Sequence, residues 1–300
     1  MSAGVALVGP TASGKSHAAH AAALARGDTE IVSLDAMAVY RGMDLATAKP
    51  SPEERTAVRY HLLDVLEPSE ELTVRRFQSL YEAAIETIAA RGRTALLVGG
   101  SGLYLRAAVD GLTIPPTDPR VRGELEDEAR RDGGLAGLYD ELVAKDPDAA
   151  ARIDPGNERR VVRALEVLRA SGRRFSSYGP GLTRYPATDV AMYGIAFDAA
   201  RTDEAIGTRF SAWMAAGLLD ELSSLLASRG GLSRTARQAA GYRQLLEHLE
   251  GGVELDTAVA NAIAATRRLA RRQWRWFRRD PRIAWVDGAE EATRELVSWR

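Results

Sequence analysis

The 300-residue chain is 45% hydrophobic and 27% charged, the balance of a soluble globular protein rather than of a disordered or collagen-like one. It has no cysteine and only four histidines (His17, His20, His61 and His248), which excludes disulfides, zinc ribbons, iron–sulfur clusters and thiol catalysis and argues against a His-rich metal site. No run of roughly 18 apolar residues predicts a membrane helix, and the amino-terminal segment lacks the basic stretch and cleavage site of a secretory signal, so a cytoplasmic location is expected; the net charge of −1 gives no overall pull toward nucleic acid, although an average can hide a patch.

In chain order, Gly4–Gly9 reads as a short buried strand and Lys15–Arg26 as an Ala-rich helix. Glu30–Leu34 is a second strand and His61–Val65 a third. Thr73–Arg91 has helical spacing behind a Thr cap, and Thr94–Val98 is a further buried strand ending in Gly99-Gly100. Strands alternating with helices predict an α/β fold around a parallel sheet. Three prolines within Thr113–Pro119 mark a boundary, and from Pro119 to about Gly172 the pattern is helical throughout. Ala191–Phe197 returns as a strand, the chain after 201 is nearly all helix, and Arg282–Val286 is a last strand-like run. The expected organisation is a P-loop α/β core over 1–112, a mostly helical insertion over 113–190, and completion of the core with Arg-rich helices over 191–300.

Gly9-Pro10-Thr11-Ala12-Ser13-Gly14-Lys15-Ser16 fits G-x-x-x-x-G-K-[ST] between a strand and a helix. Glycines let backbone N–H groups turn inward around an anion, and the following helix start adds partial positive charge. Lys15 can reach terminal phosphoryl oxygens, and the Ser16 hydroxyl can ligate Mg²⁺. The pattern is that of a nucleotide-binding, ATP-binding loop, but the chemistry it specifies is polyphosphate. An NTPase would want an acid at the end of a second buried strand, where Val98 is instead followed by Gly99-Gly100. The strand-end acid is Asp35, placed to handle an acceptor or merely to cap a turn.

Seven blocks extend the pattern in order: GPTASGKS at 9–16, DAMAVYRGMDLATAKP at 35–50, YHLLDVLEP at 60–68, LVGGSGLYLRA at 97–107, RRVVRALEV at 159–167, AAGYRQLLEHLEG at 239–251 and RRQWRWFRRDPR at 271–282. Together they resemble the bacterial tRNA dimethylallyltransferase family over almost the whole chain. The resemblance implies transfer of a dimethylallyl group from dimethylallyl diphosphate to the exocyclic amine of the adenosine 3′ of the anticodon, with release of pyrophosphate and Mg²⁺ as cofactor. It implies that residues 9–16 hold the diphosphate. Asp35 matches the family's general base, Thr11 its threonine at the bridging oxygen of the leaving group, and Arg209 an arginine placed on the diphosphate. It also implies that Asp35, Ala36, Met37 and Ala38 meet the target base, and that Ser101, Arg122, Arg159, Arg160 and Arg163 contact tRNA. A monomer is expected.

The carboxy-terminal segment supports an RNA partner independently. Between Thr266 and Arg282 stand eight arginines and one acid, Asp280. At about 100° per residue, Arg268, Arg272, Arg275 and Arg279 fall within about 60° of one another. Arg267, Arg271 and Arg278 extend that face, while Leu269, Ala270, Trp276 and Phe277 lie opposite. Solvated faces mix signs, so an almost acid-free face reads as a phosphate contact; the helical phase assigns Trp274 and Trp276 to core packing. One departure stands out. The family shows Asp-Ser-x-Gln at the general-base block, and this chain has Asp35-Ala36-Met37-Ala38, without the glutamine amide that contacts the flipped adenine. Two other classes share the loop and the acid: an adenylate isopentenyltransferase acting on a free nucleotide, and a small-molecule P-loop kinase.

Overall fold

The computed structural model describes residues 4–179 and 181–299; Met1, Ser2, Ala3, Pro180 and Arg300 lie outside it. The chain forms two compact units, one of the residues up to Asp110 together with those from Ala187 onward, the other Gly111–Pro186.

The first unit is built on six strands: β1 Val5–Val8, β2 Thr29–Ser33, β3 Tyr60–His61, β4 Thr94–Gly99, β5 Ala191–Ile195 and β6 Ile283–Val286. All pair in parallel, in the order β3-β2-β4-β1-β5-β6. β1 and β2 are buried at every residue, as a sheet covered on both faces requires. The chain crosses from β1 to β2 in one direction and from β3 to β4 in the other. Right-handed crossovers therefore put the helices α1 (Lys15–Arg26), between β1 and β2, and α3 (Val74–Ala90), between β3 and β4, on opposite faces. Ala18, Ala19, Ala22 and Ala23 of α1 pack with Val5, Leu7, Ile31 and Leu96 of the sheet and with Ala292 and Leu296 near the carboxy terminus. Small alanine side chains let α1 lie close to the sheet. Thr73 caps α3 by accepting from the Arg76 N–H at 3.1 Å.

Two local expectations change. Between β2 and β3 lies a short helix, α2 (Pro52–Ala57), which the sequence pattern did not predict although its start was written there. Ser51 and Glu54 form a reciprocal capping box, with Pro52 opening the helix. The strand expected over His61–Val65 stops at His61. Leu62 and Asp64 adopt left-handed backbone (φ 62° and 54°), and the Asp64 carboxylate is drawn to Lys49 and Arg55, each at 2.5 Å.

Beyond β4, α4 (Gly102–Val109) is capped by Ser101, whose hydroxyl accepts from the Tyr104 N–H at 3.4 Å. The second unit carries α5 (Pro119–Ala129), α6 (Gly134–Lys145), α7 (Pro147–Ala150) and α8 (Glu158–Ser171), around a core that includes Leu125, Leu138, Leu142, Val161 and Leu165. After β5, the first unit adds α9 (Ala199–Ala215), α10 (Leu218–Ala227), α11 (Tyr242–Leu249) and the long α12 (Leu255–Phe277); α13 (Gly288–Ser298) follows β6. No helix among the described residues is long and apolar enough to cross a membrane.

The end of α12 is fixed by buried charge. Arg106 pairs with Asp110, and Arg282 bridges Asp110 at 2.7 Å and Asp280 at 2.6 Å. Arg106, Asp110 and Asp280 are nearly inaccessible to solvent. The single acid of the Arg-rich segment therefore faces inward.

Candidate active site

In an open parallel sheet, ligands bind beyond the carboxyl ends of the strands where the winding direction reverses. Here that point lies between β1 and β4, the neighbours from which the chain departs in opposite directions. The loop 9–16 leaves β1, Asp35 follows β2, and Gly99-Gly100-Ser101 follows β4. Thr11, Lys15, Ser16, Asp35 and Gly99 line a cavity of about 340 Å³, within the usual range for a small-molecule site.

The loop has the form its sequence predicts. Ala12 and Gly14 are left-handed (φ 64° and 87°), and Gly14 opens α1 with no side-chain cap. A free helix start with its N–H groups turned toward a concavity suits an anion. The buried Ser13 hydroxyl has no hydrogen-bond partner among the described residues, an arrangement that costs free energy unless a ligand meets it. Lys15 donates to the Pro10 carbonyl at 3.1 Å. Burial pushes its ammonium down to about 8; the Asp35 carboxylate opposes the shift and the Arg209 guanidinium adds to it. Burial also lowers Arg209, from α9. Lys15, Arg209 and the Asp35 carboxylate thus share the cavity, with Lys49 and Glu54 also on its lining.

Asp35 is held by its own turn. One carboxylate oxygen, Oδ1, accepts from the Met37 N–H at 2.7 Å and from the Ala38 N–H at 3.2 Å, which leaves Oδ2 outside the turn. Ala36 and Met37 are half-buried and Ala38 is buried; Met37 and Ala38 line the cavity wall with Ala46, Ala48 and Leu269. Position 38 presents only a methyl group there.

Residues 46–50 form another wall, in a segment clamped at both ends. Lys49, 2% exposed, holds the Tyr40 carbonyl, Asp44 and Asp64. Glu221 of α10 accepts from the Asp44 and Leu45 N–H groups, each at 3.1 Å, and from the Tyr242 hydroxyl; burial, then Glu221, pushes that phenol up.

Sequence reasoning missed Gln273 of α12. Its Oε1 accepts the Thr11 N–H at 2.8 Å. It had no signal of its own, because the helix reads as an arginine face and an apolar face. The glycines of the β4–α4 turn do carry the trace of it. A Cβ on Gly100 would lie 2.4 Å from the Gln273 amide nitrogen, and one on Gly102 would lie 2.0 Å from the Trp276 ring.

The arginine face divides. Arg268, Arg272, Arg275, Arg278 and Arg279 are exposed and make no ion pair among the described residues. Arg267 and Arg271 do not extend that face as expected. Arg271 pairs with Asp203 of α9 at 2.7 Å, and Arg267 donates to the Asp203 carbonyl at 3.1 Å. Trp274 stacks near Phe197 and meets Trp285 edge-on at 4.6 Å between ring centroids, which is core packing.

In the second unit Arg159 and Arg160 stand exposed at the start of α8. Arg163 instead donates to the Pro115 and Pro116 carbonyls and pairs with the buried Glu166 at 2.8 Å; Arg122 pairs with the same carboxylate at 2.5 Å. These two arginines, expected on the RNA, are committed to fastening the start of the helical unit to α8. The i,i+3 spacing of Arg163 and Glu166 was the available sign.

Burial and charge at Lys15 set a pH dependence. Lysine that is neutral above about pH 8 cannot help hold a diphosphate. Affinity for an unreactive dimethylallyl diphosphate analogue is expected to be level below pH 8 and to fall by up to about tenfold per pH unit above it. Lys15→Arg should remove the fall, because arginine stays charged. Titration calorimetry from about pH 7 to about pH 9.5, a window that brackets the lowered lysine value, checks both.

A P-loop enzyme whose loop 9–16 opens on a cavity lined by Lys15, Arg209 and Asp35, with Met37, Ala38 and Leu269 among its apolar walls, is the class that the fold and site define. The chain belongs to the IPP transferase family, whose model matches residues 38–280. It is 46% identical over 292 residues to the tRNA dimethylallyltransferase of Bifidobacterium animalis subsp. lactis, covering 96% of this chain and 83% of that one. It is 47% identical to that of Salinispora tropica, covering 95% and 88%. The crystal structure of the tRNA isopentenylpyrophosphate transferase of Bacillus halodurans superposes with a TM-score of 0.68 at 36% identity, over 96% of this chain and 90% of that one. A eukaryotic dimethylallyltransferase acting on tRNA shares the fold, with a TM-score of 0.78 at 24% identity.

Proposed function

We propose that this chain transfers the dimethylallyl group of dimethylallyl diphosphate to the exocyclic amine of the adenosine 3′-adjacent to the anticodon of tRNA, releasing pyrophosphate. The carrying observation is the convergence of Lys15, Arg209 and Asp35 on one cavity, two desolvated cations beside a carboxylate with an oxygen outside its own turn. Displacement at the allylic carbon breaks its bond to the bridging oxygen and sends the electron pair to the departing pyrophosphate. The N–H groups of the loop 9–16, the Ser13 hydroxyl, Lys15 and Arg209 meet that growing charge. Thr11, at the turn of the loop, is assigned to the bridging oxygen. The exocyclic amine forms the new C–N bond and gives its proton to Asp35 Oδ2.

Mg²⁺ suits the donors present. Ser16 offers a hard oxygen at the mouth of the loop, and no cluster of carboxylates or histidines among the described residues supplies a cage. The other ligands would be diphosphate oxygens and water, the usual manner of this ion. When bound, it neutralises diphosphate charge.

Contacts to tRNA are assigned, within the first unit, to Arg272, Arg275 and Arg279, with Arg268 beside them, and to the capping Ser101; within the second unit they are assigned separately to Arg159 and Arg160. Arg122 and Arg163 contribute by holding α8 in place. Met37 and Ala38 border the adenine. Without an amide at position 38, the base is held by stacking, by its phosphates and by water. We assign the chain to the cytoplasm and to a monomeric state.

Changing Arg272, Arg275 and Arg279 together to Gln is expected to weaken tRNA binding and leave diphosphate affinity unaltered. The slope of log K against log[salt] should flatten by about 0.7–0.9 for each tRNA phosphate no longer neutralised; filter binding across a salt series measures it. The activity itself is tested by supplying labelled dimethylallyl diphosphate and Mg²⁺ with tRNA, with AMP, or with neither. Label in tRNA is expected. Label in AMP would select a free-nucleotide isopentenyltransferase, and ATP turnover without label would select a kinase.

A further inference from the structure

The backbone N–H groups of a phosphate loop are its working donors, so a side chain fixed on one of them governs the loop's shape. Gln273 is that side chain. It comes from α12, 262 residues away in sequence, and its Oε1 accepts the Thr11 N–H at 2.8 Å. Its amide lies so close to the β4–α4 turn that a Cβ at position 100 would displace it, and it lines the same cavity as Lys15. The amide therefore bonds the loop that follows β1 and occupies the space that Gly100 leaves free after β4.

The Thr11 N–H points out of the loop toward Gln273, which fixes the orientation of the Pro10–Thr11 peptide. That orientation sets where the Thr11 hydroxyl lies, next to Ala12, whose left-handed backbone (φ 64°) carries a strain that persists only when neighbours over-determine it. The anchor also belongs to the helix that displays Arg272 and Arg275 outward.

We propose that Gln273 is a positioning residue of the diphosphate site: it acts through the Thr11 N–H to hold the phosphate loop in its anion-receiving shape. The proposal rests on residues 9–16 receiving a diphosphate. Gln273 transfers no proton and need not touch the reacting carbon. Its removal leaves the Thr11 N–H without its acceptor and the loop free to relax, so the loss falls on diphosphate binding and not on tRNA.

The test uses the full chain, with inorganic pyrophosphate and Mg²⁺ as the probe. Gln273→Met keeps length and removes the acceptor. It is expected to weaken pyrophosphate binding about 5- to 30-fold and to raise KM for dimethylallyl diphosphate similarly. KM for tRNA should stay within twofold and the melting temperature within a few degrees. Gln273→Glu supplies a second, independent readout. A protonated glutamic acid reproduces the amide's acceptor, whereas the carboxylate repels the ligand. The ratio of variant to wild-type pyrophosphate Kd should thus be large near pH 8 and shrink only as the pH falls to the ordinary glutamate value of about 4.3 and below it. A side chain remote from the bound anion moves no such pH profile. If Gln273→Met binds pyrophosphate as the wild type does, or the Gln273→Glu ratio is flat with pH, the proposal is overturned. If the wild type itself binds no pyrophosphate, the diphosphate reading falls, and the proposal with it.

Discussion

Lys15→Ala is expected to abolish dimethylallyl transfer while the protein stays folded. Lys15 is the one lysine of the loop 9–16, its ammonium is desolvated, and its only hydrogen-bond partner among the described residues is the Pro10 carbonyl. Little packing is lost with it. At neutral pH the buried ammonium weakens the fold: because its pKa is lowered, the unfolded chain binds more protons between about pH 8 and the ordinary lysine value, so its contribution to stability improves as pH rises through that window. The residue is kept for its charge, not for stability. Removing one preorganised group that meets transition-state charge costs about 10²–10³-fold in kcat. Single-turnover transfer at saturating dimethylallyl diphosphate, alongside a thermal melt, measures both halves. More than a tenth of wild-type activity would remove Lys15 from the leaving-group site.

Asp35→Asn should preserve tRNA binding and cost about 10²–10⁴-fold in rate, the ordinary range for loss of a general base. The substitution is nearly isosteric. The asparagine carbonyl can still accept from the Met37 and Ala38 N–H groups, as Oδ1 does at 2.7 and 3.2 Å, so the turn survives. What disappears is a second oxygen able to take a proton. Single-turnover kinetics separate the two roles of this residue. An unchanged rate with a raised tRNA Kd would make Asp35 a binding residue only.

How far the sequence could be read depended on whether an interaction was local. The strand, turn and helix around residues 5–26 were legible, because the glycines, the lysine and the alanine spacing all act within one short segment. So was the Thr73 cap. His61–Val65 failed as a strand because its course is decided by Lys49 and Arg55, which pull Asp64 from outside the segment. In the arginine helix, phase correctly separated the buried Ala270 and Phe277 from the exposed Arg272 and Arg275. It could not show that Asp203, on a different helix, takes Arg267 and Arg271 out of that face. Gln273 was invisible for the same reason: its partner, the Thr11 N–H, is a backbone group and leaves no mark in composition.

If the P-loop serves a prenyl diphosphate and Asp35 directs the group to adenosine in tRNA, both ends of the reaction are visible in the product. The decisive measurement is mass spectrometry of nucleosides from tRNA incubated with the protein, Mg²⁺ and dimethylallyl diphosphate, with a nuclease fragment map to locate the change. One dimethylallyl group on the adenosine 3′ of the anticodon, absent with Asp35→Asn and with Lys15→Ala, is the expected result. Unmodified tRNA from fully folded wild-type protein, or the group carried by another nucleoside, would contradict it.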